Sequence, residues 1–252
     1  MLWAIDIGNT HTVVGLHDGE WRHHWRLDTH HFSTEDELAQ AISGLCSLGG
    51  VEFRANGVVV ASVVPRLDRA IEGFCKKWLG SEALFVRTGE QVGLKVDYEP
   101  RNAVGADRLA NAIGALERFS PPLIVVDFGT ATTFDTVDKD GTYIGGAIMP
   151  GPEVAAASLA SRTAKLPSIA LDVPKAAIGK SVVASLQSGL VLGYADAVDG
   201  LVRRIKRELG GEVRVIATGG LGALFAGVCA EVEGYDEWLT LDGLRIAWER
   251  RG

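Results

Sequence analysis

Asp6-Ile7-Gly8-Asn9-Thr10 and Asp127-Phe128-Gly129-Thr130-Ala131 are near copies, one close to the start of each half of the chain. Each follows an apolar run, residues 1–5 and 123–126, that reads as a buried strand. Each continues into alternating, Thr-rich sequence, residues 11–16 and 132–137, that reads as the second arm of a hairpin. A carboxylate at a strand end, then a Gly-containing turn with hydroxyls and bare N–H groups, suits a divalent cation and phosphate oxygens. A single such turn is equally well a tight hairpin, with Gly supplying a positive φ and Asp or Asn capping the bend. The recurrence of Asp, Gly and Thr favours function, and predicts a duplicated fold gripping a polyphosphate from both sides.

The flanking sequence repeats as well. Residues 2–5, 12–16 and 21–27 read as strands, with Asp18-Gly19 as a turn between the last two. Ser33-Thr34-Glu35-Asp36 resembles a helix start, followed by Leu38, Ile42 and Leu45 at helical spacing. Residues 57–63 form an apolar strand, Pro65 opens a helix carrying Leu67, Ile71, Phe74 and Trp78, and residues 83–86 form a further strand. The second half offers strands at 123–126, 132–137 and 143–148, a helical region at 153–161, an irregular stretch at 166–174 and a long helix at 182–209. A strand at 213–217, a helix at 221–228, a short strand at 236–241 and a closing helix complete it. Three strands followed by helix–strand alternation, twice, predict an α/β sheet in each half, with domains at 1–118 and 119–252. No Ser/Gly linker separates them. Ligands in such folds favour crevices at strand ends and between domains, so the order suggests actin-like halves with nucleotide between them.

Composition narrows the function classes. A formal net charge of −7 argues against nucleic acid as the main partner, which needs a basic face. The cluster Arg203-Arg204-Ile205-Lys206-Arg207 reads as the solvated face of a helix. Cys46, Cys75 and Cys229 are far apart and odd in number, which argues against a disulfide framework and structural zinc and fits a reducing compartment. They read as buried small apolar residues. No signal peptide and no bilayer-spanning run is expected, so the predicted location is the cytoplasm, with no membrane partner.

Thr218-Gly219-Gly220-Leu221 follows an apolar strand and opens a helix. Adjacent glycines let a flat ligand or a phosphate chain approach the backbone, which makes this turn a candidate wall for adenine or ribose. Neither Gly-x-x-x-x-Gly-Lys-Ser/Thr nor a dinucleotide fingerprint is present, so a kinase here must hold its phosphates with the paired Asp-Gly-Thr turns. Gly105-Ala106-Asp107-Arg108 lies at the start of a helical run. Asp107 is either a helix-dipole partner with Arg108 solvated, or a general base for a hydroxyl beside an Arg108 clamp for a substrate carboxylate. Tyr98 is a pocket wall or a half-buried loop aromatic. The glycines of Gly145-Gly146-Ala147-Ile148-Met149-Pro150-Gly151 read as structural. His23-His24 and His30-His31 read as exposed, and the six histidines are not spaced as metal ligands.

Together these motifs resemble the type III pantothenate kinases of the acetate and sugar kinase/Hsp70/actin superfamily. The resemblance rests on Asp6-x-Gly8-Asn9-Thr10-x-Thr12, Ser62-Val63-Val64-Pro65, Gly105-Ala106-Asp107-Arg108 and Asp127-x-Gly129-Thr130-Ala131-Thr132. Gly145-Gly146-Ala147-Ile148-x-Pro150-Gly151 and Thr218-Gly219-Gly220 extend it over nearly the whole chain. It implies duplicated actin-like (ribonuclease H-like) halves with ATP in the cleft between them. Asp6, Ile7, Gly8, Asn9, Thr10, His11, Thr12 and Val13 would form the first phosphate loop, with Gly129 and Thr130 in the second and Gly219 and Gly220 on the adenosine side. Asp127 would hold a monovalent cation, K⁺ or NH₄⁺, and Mg²⁺ would bridge ATP. Asp107 would accept the proton of the pantothenate primary hydroxyl, with Tyr98, Gly105, Ala106, Asp107 and Arg108 lining that substrate's site. A homodimer would close the site, the dimerisation helices lying in the second half.

One departure stands out. After Gly179-Lys180 the family usually shows Asn-Thr, whose Thr hydroxyl reaches pantothenate across the dimer; here the pair is Ser181-Val182. Losing a simple hydrogen bond costs about 0.5–1.5 kcal/mol. Ser181 substitutes, or the contact is absent. The implied activity is phosphorylation of pantothenate to 4′-phosphopantothenate, the first step of coenzyme A biosynthesis. The alternatives are a non-catalytic regulator of the same fold and a kinase for another small hydroxy acid.

Overall fold

Two apolar hairpins seed two sheets. In the computed structural model, which describes residues 1–251, the first hairpin is β1 (Leu2–Ile7) and β2 (His11–His17), followed by β3 (Trp21–Asp28). Helix α1 (Glu35–Leu48) leads to β4 (Gly57–Ser62), and α2 (Pro65–Phe74) leads to β5 (Ala83–Phe85). Helix α3 (Ala106–Arg118) precedes the second hairpin, β6 (Leu123–Phe128) and β7 (Ala131–Val137), and its neighbour β8 (Tyr143–Pro150). Then come α4 (Pro152–Arg162), α5 (Val182–Gln187), α6 (Gly193–Leu209), β9 (Arg214–Thr218), α7 (Gly222–Ala226), β10 (Gly234–Tyr235) and α8 (Leu239–Arg250).

The sheets have one topology. The first runs β3-β2-β1-β4-β5 and the second β8-β7-β6-β9-β10. In each, the first three strands are antiparallel and the last two lie parallel to the central one. The central strands β1 and β6 therefore end at the two Asp-Gly turns. The turns are not identical in length. Four residues separate the paired Ile7 and Thr12, and three separate the paired Phe128 and Thr132. The recurring threonine thus sits one place nearer its glycine in the second copy.

The chain divides into two compact units, one of residues 1–95, 99–114 and 240–252, the other of residues 96–98 and 115–239. The boundary lies inside α3, and the closing helix joins the first unit, whereas the sequence reading grouped it with 119–252. In the first unit, Trp3, Ile5 and Ile7 pack with Leu38 and Ile42 of α1 and Leu67, Ile71 and Phe74 of α2. The helix start read at Ser33-Thr34 is a capping box: Thr34 Oγ1 accepts from Glu37 N–H at 3.3 Å, and the Glu37 carboxylate accepts from Thr34 N–H at 3.0 Å. In the second unit, Ile124, Val126 and Phe128 pack with Val191, Tyr194, Val198 and Val202. Full burial of each such aliphatic side chain contributes about 1.5–3 kcal/mol.

Three elements differ from expectation. The helix read through Trp78 ends as α2 at Phe74, and Cys75–Leu79 is a π-helical turn. Residues 236–241 are not a strand. The apolar Trp238, Leu239 and Leu241 suggest one, but Asp236 Oδ1 accepts from Trp238 N–H at 2.9 Å and turns the chain into α8. The strand is the preceding pair Gly234–Tyr235. The long helix expected at 182–209 is interrupted by a π-helical turn at Ser188–Leu192.

Candidate active site

The first unit carries one turn and one acid. Beyond β1, Gly8 N–H donates to His11 C=O at 3.0 Å, which closes the bend. Asn9 and His11 are exposed, and Asp6, Gly8, Thr10 and Val13 are half-buried. Ile7 and Thr12 are wholly buried, so these two sites present the turn with backbone groups only. The Thr12 side chain works from behind. It hydrogen-bonds Thr29 Oγ1 at 3.0 Å, and that hydroxyl donates to Gly8 C=O at 2.9 Å. Thr29 N–H also donates to Thr10 C=O at 2.9 Å. The sequence reading missed Thr29, which follows β3 and is joined to the turn only by strand pairing.

Gly105-Ala106-Asp107-Arg108 forms the entrance to α3. Asp107 Oδ1 accepts from Arg108 N–H at 2.7 Å, and a Cβ on Gly105 would lie 2.5 Å from that same oxygen. A larger residue at 105 would have to displace the carboxylate from this position. Val63, from the Ser62-Val63-Val64-Pro65 segment, lies beside the same spot. Burial pushes the Asp107 carboxyl above its ordinary range, against the pull of the Arg108 N–H and the Arg108 charge. Arg108 is buried, at 7% exposure, which removes the reading in which it is simply solvated. One turn further on, the wholly buried Asn111 accepts from Thr240 Oγ1 at 2.7 Å, tying α3 to the closing helix.

The second unit gathers Asp127, Gly129, Thr130, Gly219 and Gly220. Gly129 and Thr130 are exposed at the turn, and Gly129 N–H donates to Ala131 C=O at 3.1 Å. Gly219, at φ +87°, lies so close to Asp127 Oδ1 and Phe128 N that a side chain there would overlap both. Gly151 is equally confined against the Gly129 and Thr130 carbonyls, and its N–H donates to Thr130 C=O at 3.0 Å. Gly151, read from sequence as structural, thus shapes the turn directly. Tyr98 belongs to this unit and not to the one holding Gly105–Arg108. It lies edge-on to Tyr143, ring centroids 6.3 Å apart, over Gly145. Val182 is exposed at the start of α5, and the preceding Ser181 Oγ accepts from Ala184 N–H at 3.2 Å as its cap.

Other groups are passive. Burial pushes the Cys46 thiol up to about 11 and those of Cys75 and Cys229 up to about 12, far from reactive thiolates. Lys206 and Arg203 pair with Glu231 at 2.9 and 3.6 Å on the solvent side of α6. His24, His30 and His31 are exposed and His23 is half-buried. Among the described residues no group of three His, Cys, Asp or Glu side chains is placed to hold a metal. Among the described residues no helix is long and apolar enough to cross a membrane.

Two five-stranded sheets of identical order, each ending its central strand in an Asp-Gly hairpin, define an actin-like fold. Solved structures share that fold at low identity. A protein from Sinorhizobium meliloti described as a 2-dehydro-3-deoxygalactonokinase aligns over 99% of this chain and 95% of its own, at 10% identity and a TM-score of 0.61. The activator of 2-hydroxyisocaproyl-CoA dehydratase from Clostridium difficile, solved with bound ADPNP, aligns over 98% and 92%, at 12% identity and a TM-score of 0.53. Sequence goes further. The family model for type III pantothenate kinase matches residues 2–204. Proteins named type III pantothenate kinase from Thermomicrobium roseum (48% identity, 99% and 97% of the two chains) and Anaeromyxobacter sp. strain K (46%, 99% of both) are similar throughout. The chain belongs to the type III pantothenate kinase family.

Proposed function

We propose that this chain transfers the γ-phosphoryl group of ATP to the primary hydroxyl of pantothenate, giving 4′-phosphopantothenate, the first step towards coenzyme A. The observation that carries the reading is Asp107, a carboxylate made more basic by burial and aimed by a backbone N–H at the start of α3. A base of raised pKa takes a hydroxyl proton more readily as the oxygen attacks phosphorus. Arg108 clamps the pantothenate carboxylate, with Gly105, Ala106 and Tyr98 completing that site and Val182 in place of the family's Thr. Residues 6–13 and Gly129-Thr130 take phosphate oxygens through N–H and hydroxyl groups, and Gly219-Gly220 faces the adenosine. Asp127 would hold K⁺ or NH₄⁺, and Mg²⁺ would neutralise charge on the ATP phosphates.

The functional halves proposed are residues 1–118, with the first phosphate turn and the base, and 119–252, with the second turn. The proposed assembly is a cytoplasmic homodimer. Its support is the number of exposed apolar side chains on the second unit: Ile148, Ile178, Val182 and Val183 are 62%, 82%, 53% and 45% exposed. A second reading, a kinase for another small hydroxy acid, is favoured by one observation. Val182 has no hydroxyl, and the Ser181 oxygen is occupied in capping α5.

The test is ADP release by the purified protein with ATP and Mg²⁺, with and without pantothenate, in K⁺ and in Na⁺. Pantothenate-dependent turnover that needs K⁺ and disappears in Asp107→Asn, with ATP binding retained, is the expected result. Turnover undiminished in Asp107→Asn would remove the base assignment, and equal rates in Na⁺ would remove the cation. ATP binding without pantothenate-dependent turnover would favour the second reading or a regulator.

A further inference from the structure

We infer that Tyr194 is a positioning residue for the second phosphate turn; this rests on the reading that Gly129-Thr130 takes ATP phosphates. Tyr194 lies on α6, remote in sequence from every motif, and is buried at 8% exposure. Its hydroxyl donates to Pro150 C=O at 2.7 Å and accepts from Thr132 Oγ1 at 2.8 Å. Thr132 is wholly buried and is the pairing partner of Phe128, the residue before the turn. Pro150 immediately precedes Gly151, whose backbone lies against the Gly129 and Thr130 carbonyls. One hydroxyl therefore joins the strand leaving the turn to the segment that backs it.

The ring of Tyr194 fixes a third side. It packs on Phe225 with centroids 5.2 Å apart, and Phe225 stacks face to face on Phe128 at 4.8 Å and 4° between planes. Phe225 lies on α7, which follows the Gly219-Gly220 turn beside Asp127. Tyr194 thus touches β7, β8 and α7 directly, and β6 through one ring. The π-helical turn Ser188–Leu192 sits just upstream on the same helical run, and its extra residue resets the phase with which α6 presents Tyr194 to the sheet. Phosphate binding by oriented N–H groups depends on their pre-set geometry, so loosening Pro150–Gly151 is expected to weaken nucleotide binding without touching the nucleotide.

The experiment is calorimetric titration of the full-length protein with a non-hydrolysable ATP analogue, alongside thermal melting. Tyr194→Phe keeps the ring and removes both hydrogen bonds, and should raise the dissociation constant about three- to tenfold, the range of one or two lost hydrogen bonds. Val198→Ala, a buried change one turn along the same helix, should lower the melting temperature and leave the dissociation constant unchanged. An equal loss of affinity in Val198→Ala would make the Tyr194 effect general loosening and overturn the proposal. Thr130→Ala separates the two readings. If it weakens binding while Tyr194→Phe does not, the positioning role fails and the phosphate turn stands. If neither variant weakens binding, the phosphate turn itself is misassigned and the proposal falls with it.

Discussion

Asp107 is costly to the fold in the form that makes it useful. Burial raises its pKa above the ordinary 3.8, so the folded protein holds this proton more tightly than the unfolded chain does. The stability it allows is therefore full below about pH 3.8 and is lost as pH rises through the raised value. Asp107→Asn removes a desolvated charge and keeps an oxygen for the Arg108 N–H. We expect it to melt above the wild type near neutral pH, with the gain vanishing in acid; a variant that melts lower at neutral pH would mean that Arg108 already compensates the charge. The acid was legible because its setting is contiguous: a glycine, then Asp-Arg at a helix start. Thr29, Asn111 and Tyr194 were not, because strand pairing and helix packing bring them to the site from distant sequence. The burial of Arg108 was also invisible, since a charge beside a charge at a helix start reads equally well as solvated.

At the level of elements, hydrophobic period located nearly every strand and helix, and the hairpins were the surest part because Asp-Gly turns and alternation agree. Failures came where a pattern had two physical readings. The apolar cluster Trp238, Leu239 and Leu241 suits a short strand as well as the helix start that Asp236 makes of it. The π-helical turns at Cys75–Leu79 and Ser188–Leu192 left no trace, since each continues a helix whose apolar residues keep their spacing into it. We extend the proposed dimer contact to α4, because its Val154 and Leu159 are exposed like Val183 of α5, and none of the three belongs to a core cluster. Leu159→Glu should therefore leave the melting temperature nearly unchanged and convert a dimer into a 26.8-kDa monomer in sedimentation. A variant that still sediments as a dimer would place the contact elsewhere.

Over the whole molecule, one topology used twice explains why the two turns resemble each other: each terminates the central strand of an equivalent sheet. What duplication did not reveal is that the units are not sequential. The first is assembled from three stretches of chain, and α8 completes it. Trp21 Nε1 donates to Asp242 Oδ1 at 2.8 Å, Arg250 reaches the Val92 carbonyl at 3.4 Å, and Trp248 lies over Gly57 of β4. A chain stopped after Trp238 should accordingly lose amide-exchange protection across β1–β5 and keep more of it in β6–β9. Equal protection of both sheets would show that α8 is dispensable.

That return has a meaning for biosynthesis. Domains generally fold in the order in which the ribosome releases them, the N-terminal one first. Here the strands of the first sheet emerge early, yet the helix that covers them is translated only after the entire second unit. The early sheet must wait, with the surface around Gly57 open, while the later one is made. On that order, the unit bearing Asp107 would be the first to begin folding and the last to finish.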